Sequence, residues 1–409
     1  MTEAESPSGP SSHDGQRPAA QADPWLTPPD PLPRTSPVTV GFLVSTLVTG
    51  GAERVLQHLI LHLDRGRFRP RLYCLRDLGP VGELLTAEGI PARTNLGPGR
   101  PPMPWVPLGL ARRFRRDNVD VLYCLDHTNA VVVGALAARL CGRMPLLMPV
   151  HTTGQWGRDS IPRPMRMVVG RITRILAIAE AQKQYLVEHE GVPPAQISVI
   201  RNGIPPLDPA ALPSAAQARQ ALGIDPDEGP VVGILAVLRP EKAHENFLAA
   251  ARQVLARLPR ALFVVIGGGP RQTELEALAA ELGIAGRVKF LGMRRDVPQI
   301  LPSLDLSVLA SHPRVETLPL SQMEAMSLGI PVVATRVGAL HELVSDGVEG
   351  RLVPPGDPDA LAGAMLALLS DAGELARAGR AARSRILGEF TAERMARESE
   401  AVIWNALGR

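Results

Sequence analysis

Residues 305–335 read "DLSVLASHPRVETLPLSQMEAMSLGIPVVAT". "DLSVLAS" (305–311) is an apolar run of strand length, and "PVVAT" (331–335) is a second one. Between them, residues 312–318 form a loop, and Pro319 suits a first helical turn, where its missing N–H would have no partner anyway. "LSQMEAMSL" continues that helix and Gly329 ends it. Strand, helix and strand in so short a span predict parallel pairing through a crossover helix, within a sheet covered on both faces. Ligands of such sheets bind at the carboxyl ends of the strands. Glu316 lies in the loop at one such end, and Glu324 sits about a turn and a half into the helix. The free N–H groups at the helix start suit an anion. Carboxylates beside an anion site suit the hydroxyls of a ribose or a hexose.

The same alternation extends outward in both directions. "VTVGFLVSTL" (38–47) is a buried strand, followed by the glycine-bearing loop "VTGGAER" and a helix from Ala52 to Leu63. "RPRLYCL" (69–75), "VDVLYCL" (119–125), "PLLMPVH" (145–151), "RILAIA" (174–179) and "ISVIRNG" (197–203) lean to strand, with helical patterns between them. "PLDPAALPS" (206–214) is proline-dense and reads as a crossing between domains. The pattern restarts with "PVVGILAVL" (230–238), "HENFLAAARQVLARL" (244–258) and "ALFVVIGGG" (261–269), and it closes on the long amphipathic helix "TAERMARESEAVIWNAL" (391–407). We therefore expect an α/β protein with a Pro/Ser-rich disordered tail over 1–37. Rossmann-like units follow over 38–205 and 206–388, with a C-terminal helix over 389–409. Two facing sheets place the default site in the cleft between them.

A chain of 409 residues exceeds one ordinary domain, and 45% apolar with 21% charged residues suits a soluble globular protein. The net charge of +3 hides an asymmetry: −3 over residues 1–37, +9 over 38–202 and −3 over the rest. A strongly basic half favours anionic partners. With aromatics at 3%, there are few platforms for stacking bases, so nucleic acid is not expected as a partner. Three cysteines without a CxxC spacing fit a reduced, cytoplasmic setting, and neither a disulfide framework nor a zinc site. No apolar stretch reaches the roughly 18 residues of a membrane span. The acidic N-terminus lacks the apolar core of a secretory signal. "RRFRR" (112–116) and "RDSIPRPMRMVVGRITR" (158–174) interleave arginines with apolar residues. That pattern suits peripheral docking on an anionic membrane surface, and equally an ordinary solvated face.

Seven segments, in order, carry a resemblance. They are "TLVTGGAERV" (46–55), "MPVH" (148–151), "VIRNGI" (199–204), "LRPEKAHENFL" (238–248), "VVIGGGP" (264–270), "VKFLGMRRDVP" (288–298) and the two glutamates eight apart. Together they resemble the retaining, nucleotide-sugar-dependent glycosyltransferases of family four, with their E-x7-E signature, over roughly residues 38–407. The resemblance implies the GT-B architecture, in which two Rossmann-like domains face a central cleft and the C-terminal helix crosses back to the N-terminal domain. It implies that Glu316 contacts donor-sugar hydroxyls and Glu324 the ribose. Lys242 and Arg239 would neutralise the diphosphate, and His151 would meet the sugar. Gly50, Gly51, Gly267 and Gly269 would bring backbone close to the donor, as would Leu318, Pro319 and Leu320. Met293 and Arg294 would face the base, and Asp126 and Asn202 the acceptor and hinge. The expected partners are a nucleotide sugar and a glycan or lipid-linked acceptor hydroxyl, in surface or exopolysaccharide synthesis.

The chain departs from that pattern in two places. Thr317 and Pro319 stand where glycines are usual, and proline donates no N–H. Arg239 precedes Lys242 by three residues, while Val237 holds the more usual arginine position. Gln272 replaces the third glycine of a dinucleotide fingerprint, which argues against a nicotinamide cofactor. Both "DPD" stretches, 225–227 and 357–359, read as turn and cap residues and not as metal ligands, so neither metal nor cofactor is expected. Two alternatives stay open at this level: a nucleotide-sugar epimerase of the same architecture, and a non-catalytic sugar-nucleotide-binding scaffold.

Overall fold

The computed structural model of the protein describes residues 23–30, 36–48, 50–97, 105–125, 128–142, 144–151, 168–313 and 316–408. Thirteen strands form two parallel sheets among these residues. The first holds β1 (Val38–Val44), β2 (Phe68–Cys74), β3 (Ala92–Arg93), β4 (Val121–Cys124), β5 (Leu146–Val150), β6 (Arg174–Ala177) and β7 (Ile197–Val199), in the order β3-β2-β1-β4-β5-β6-β7. The second holds β8 (Val231–Leu235), β9 (Leu262–Ile266), β10 (Val288–Phe290), β11 (Leu306–Leu309), β12 (Val332–Thr335) and β13 (Gly350–Val353), in the order β10-β9-β8-β11-β12-β13. All seven residues of β1 are buried, as a strand covered on both faces requires.

Each sheet reverses direction once beside its first strand, between β1 and β4 and between β8 and β11. At such a reversal the flanking loops splay apart and leave a crevice at the carboxyl ends. The two crevices face one another, in the expected arrangement of two Rossmann-like domains.

The helices used below are α1 (Gly51–His62), α2 (Trp105–Arg116), α3 (Glu180–Glu188), α4 (His244–Arg257), α5 (Leu320–Ser327), α6 (Leu340–Leu343), α7 (Ala372–Glu389) and α8 (Ala392–Leu407). The chain passes between domains twice, and the two passages lie against each other. Ile204 N–H donates to Phe390 O at 3.0 Å, and Ala392 N–H donates to Ile204 O at 2.8 Å. From there α8 returns to the N-terminal domain and packs on α1, with the Trp404 and Phe68 rings 5.3 Å apart. α7 has no counterpart in the sequence reading. Its inner face is Ala378, Gly379, Ala382 and Ile386, and Gly379 lies against the Gly329 carbonyl.

The expectation of a disordered tail is corrected over residues 23–30. Trp25 is buried, and the Arg174 guanidinium lies 4.5 Å from its ring centroid. Asp23 caps the short turn Pro24–Leu26 through the Trp25 N–H and forms an ion pair with Arg174 at 3.1 Å. Asn405 of α8 donates to the carbonyls of Trp25 (3.2 Å) and Thr27 (2.8 Å). One large aromatic with a capped turn therefore straps the N-terminal segment onto α8, against a composition that argues for disorder. Arg174 is corrected with it. It is a buried structural residue and not part of a membrane-facing patch.

We expect Trp25→Ala to lose about 3–5 kcal/mol of stability, the range for a buried aromatic side chain truncated to alanine. Nucleotide binding should be unchanged, because Trp25 is remote from the cleft cavity. Denaturant midpoints and a nucleotide titration check both halves of that expectation.

Candidate functional site

The cleft holds a cavity of about 420 Å³, within the size range of small-molecule sites. Its wall comes from the carboxyl ends of strands in both sheets. Gly51, Arg54, His151, Ile178 and Asn202 enter from the N-terminal domain, and Val237, Lys242, Gly267, Met293 and Glu316 from the other. A second cavity of about 410 Å³ sits beside Pro209, Pro213, Leu304 and Pro331, at the amino ends of β11 and β12. Its one acidic residue, Asp305, is taken by Arg219 (2.6 Å) and the Val231 N–H (2.7 Å). The chemistry belongs to the first cavity.

Glu316 follows β11 and is buried, yet it reaches the cavity wall. Its Oε1 accepts from Ser311 Oγ at 2.7 Å and from Lys242 Nζ. Ser311 is fixed in turn by its carbonyl, which accepts from Thr335 Oγ1 at 2.7 Å. Lys242 ends a single 3-10 turn (Pro240–Lys242) just before α4. The arrangement is a buried carboxylate and an ammonium locked together beside the start of α5. Pro319, expected inside the first turn, is instead the N-cap, with an extended ψ of 124°. The helix begins at Leu320, and Leu318, Pro319, Leu320 and Ser321 all line the cavity.

Glu324 is placed differently from the expectation. Its carboxylate is buried, is not part of the cavity wall, and meets the Arg54 guanidinium of α1 at 2.9 Å. Burial pushes its pKa above the usual carboxylate range, and the neighbouring Arg54 opposes that shift. Three further contacts join this stretch to the opposite domain. Thr317 Oγ1 donates to His151 O at 3.3 Å, and Asn202 Nδ2 donates to Leu318 O at 3.2 Å. The Glu342 carboxylate of α6 accepts from the Glu180 and Ala181 N–H groups at 3.1 and 2.8 Å. Ala179, at the N-cap of α3, has no side chain able to do this, so the helix takes its cap from the other domain.

The remaining expected residues divide. Gly51 lines the cavity with open space where a Cβ would sit, whereas at Gly50 that space is filled by the Glu53 carboxylate. Gly267 has a φ of +145°, and a Cβ there would lie 2.0 Å from Ala236 O, so glycine is required. Gly268, not singled out by sequence, shares the wall, while Gly269 packs against Leu238 away from it. Met293 and Arg294 line the far end, with Arg294 held by Asp296 at 2.5 and 2.8 Å. Arg239 is outside the wall, with a side chain 63% exposed. Asp126 lies outside the described residues.

Arg54, Gly268, Ser311, Thr317 and Glu342 are among the site-forming residues that sequence reasoning did not assign. Thr317 carried a signal as a departure from the usual glycine. Arg54 and Glu342 gave none, because their partners lie in the other domain. Among the described residues no cluster of three or more His, Cys, Asp or Glu side chains is placed to hold a metal ion. The two "DPD" stretches are turn and cap residues. Asp225 Oδ1 accepts from Asp227 N–H at 2.9 Å, and Asp357 caps the helix Pro358–Leu369 through the Ala360 N–H.

Comparison with known proteins returns one consistent answer. Residues 49–206 match the model for "Glycosyltransferase Family 4", and residues 216–385 that for "Glycosyl transferases group 1". A 2-deoxystreptamine glucosyltransferase of Streptomyces kanamyceticus is 26% identical over 295 residues, covering 69% of this chain and 75% of the relative. A D-inositol 3-phosphate glycosyltransferase of Nocardia farcinica is 32% identical over 289 residues. That match covers 65% of this chain and under two thirds, 63%, of the relative's length. The crystal structure of Anabaena HepE in complex with UDP superposes with a TM-score of 0.76 at 25% identity, covering 90% of this chain and 99% of that one.

Proposed function

Because the chain belongs to the glycosyltransferases, with a family 4 N-terminal half and a group 1 C-terminal half in the GT-B fold, we propose that it moves a sugar from a nucleoside diphosphate to an acceptor hydroxyl with retention of configuration. The observation that carries this reading is the Lys242–Glu316–Ser311 cluster, set at the start of α5 inside the interdomain cavity. As the bond from the sugar's anomeric carbon to the phosphate oxygen breaks, negative charge grows on the diphosphate. An ammonium and backbone N–H groups already aimed there lower the barrier. Glu316 accepts from donor-sugar hydroxyls, and Glu324 accepts from the ribose once it turns from Arg54. The acceptor oxygen attacks from the face the diphosphate leaves, and the departing phosphate takes the acceptor's proton. Cationic side chains fill the part a metal would otherwise play, so EDTA should leave turnover unchanged.

HepE's complex with UDP favours uridine diphosphate as the carrier. The lipid-linked acceptor draws support from α2. Trp105 (63% exposed) and Leu108 stand out on it beside exposed Arg112, Arg113, Arg115 and Arg116. Residues 158–167 of the other basic stretch lie outside the described ones. Among the described residues no helix is long and apolar enough to cross a membrane.

The test has two parts. Thermal stabilisation by UDP, GDP and ADP identifies the carrier, since a ligand that binds only the folded state raises its melting point. Donor consumption is then followed with a lipid-linked glycan, 2-deoxystreptamine, inositol 3-phosphate or no acceptor. No stabilisation by any nucleotide would refute the reading. Donor turnover without acceptor would favour an epimerase.

A further inference from the structure

We infer that Arg54, carried by the N-terminal domain, is the second cation of the diphosphate site and meets the sugar-bearing phosphate once the donor is bound. This rests on the nucleotide-sugar reading above. A diphosphate needs more positive charge than one lysine brings, and the sequence offers Arg239 as its partner. Arg239 is turned out to solvent, its nearest carboxylate Glu241 at 3.9 Å, and it forms no part of the cavity wall. Val237 lines the cavity where the more usual spacing would set an arginine. Arg294 stands with Met293 and is already gripped by Asp296. Among the described residues, which do not include Arg314, the C-terminal domain therefore brings Lys242 alone to the phosphate end.

Arg54 fills that gap from across the cleft. It belongs to the first turn of α1 and lines the cavity with Gly51 and Ala52. Its side chain is 40% exposed, and Glu324 is its one polar partner among the described residues. A guanidinium carries five N–H donors in a planar fork. Freed from Glu324, that fork can grip a phosphate with two parallel N–H donors.

The two glutamates set up a symmetry. Glu316 holds Lys242 and Glu324 holds Arg54, each pairing a carboxylate with a cation on the cavity wall. When both carboxylates turn to sugar and ribose hydroxyls, two cations are released to face two phosphates. The Arg54–Glu324 pair spans the domains, so the second cation arrives only when the cleft is closed. Transfer chemistry is thereby tied to closure, which keeps the activated sugar from water.

The test compares dissociation constants for UDP and UMP in the wild type, Arg54→Gln, Arg54→Lys and the double variant Arg54→Gln/Glu324→Gln. GDP/GMP and ADP/AMP replace the pair if another base stabilises the protein better. Arg54→Gln should weaken UDP about ten- to hundredfold, as expected for one charge-assisted contact, and UMP at most a few-fold. The preference for diphosphate over monophosphate therefore collapses, and Arg54→Lys restores part of it.

The double variant isolates the cause. It removes the unpaired buried carboxylate, and any ribose effect cancels in the ratio of the two nucleotides. A ratio that stays low in the double variant supports the inference. A ratio restored there, or unchanged in Arg54→Gln, shows that Arg54 only neutralises Glu324, and overturns it while the donor reading stands. A wild type that binds no nucleoside diphosphate refutes the donor reading and this inference together.

Discussion

Lys242→Ala is expected to lower the turnover number about a hundred- to a thousandfold, the scale seen when one preorganised group facing developing charge is removed. The loss should fall on kcat more than on donor KM, because the diphosphate is most negative in the transition state. A ground-state contribution exists but is smaller, since α5, which has no side-chain cap, still presents its first-turn N–H groups. The substitution has a second consequence. It leaves Glu316 buried, with Ser311 as its remaining hydrogen-bond partner.

Removing one member of a buried ion pair costs more than the pair is worth, because the other charge stays desolvated. Lys242 is partly exposed, so that penalty is discounted, and a melting point lowered by a few degrees is expected. The double variant Lys242→Ala/Glu316→Gln should recover the melting point and none of the turnover. Lys242→Arg should recover little activity, because the planar fork does not reproduce a compact ammonium. Steady-state rates with a matched thermal melt decide the matter. A Lys242→Ala enzyme within threefold of wild type would remove this cluster from the chemistry.

Much of this arrangement was legible in the residues. Most strands were clear because they are short runs of mainly buried apolar residues, and the loop-then-helix placement of Glu316 and Glu324 followed from Gly329 and the flanking strands. What escaped has physical reasons. β3 is only Ala92–Arg93, too short for any periodicity, and the buried face of α7 is Ala378, Gly379, Ala382 and Ile386, only one of them large and apolar. Trp25 folds a segment whose composition argues for disorder. In the cleft, a local pattern could nominate Lys242, but nothing local could say that Arg239 turns outward or that Arg54 meets Glu324 from another domain. Pairings across domains are set by tertiary packing, to which sequence periodicity is blind.

Gly338→Ala is expected to cost nearly as much activity as Lys242→Ala, although residue 338 touches no ligand in the proposed site. Gly338 has a φ of +52°, in the left-handed region, which alone costs alanine about 1–2 kcal/mol. The larger effect is steric. A Cβ there would lie 1.6 Å from Glu316 O and 2.7 Å from its carbonyl carbon. No rotamer relieves that overlap, so the backbone of one loop must move by an ångström or more. The loop after β12 is anchored, because Arg336 N–H donates to Val353 O at 2.7 Å and Leu340 begins α6. The segment Glu316–Thr317 must then yield, and its displacement withdraws the carboxylate from Lys242 and Ser311 and loosens the Thr317 contact with His151.

A shift of that size in a reacting constellation is worth about a hundredfold in rate. We expect turnover down by at least that factor and a melting point lowered by several degrees. Far-UV circular dichroism should stay native, because both sheets are untouched. Binding at the far end of the cavity should suffer less than catalysis, since Met293 and Gly267 lie on other loops. A Gly338→Ala protein with native melting and native rate would mean that the packing of this loop on Glu316 does not set the position of the carboxylate.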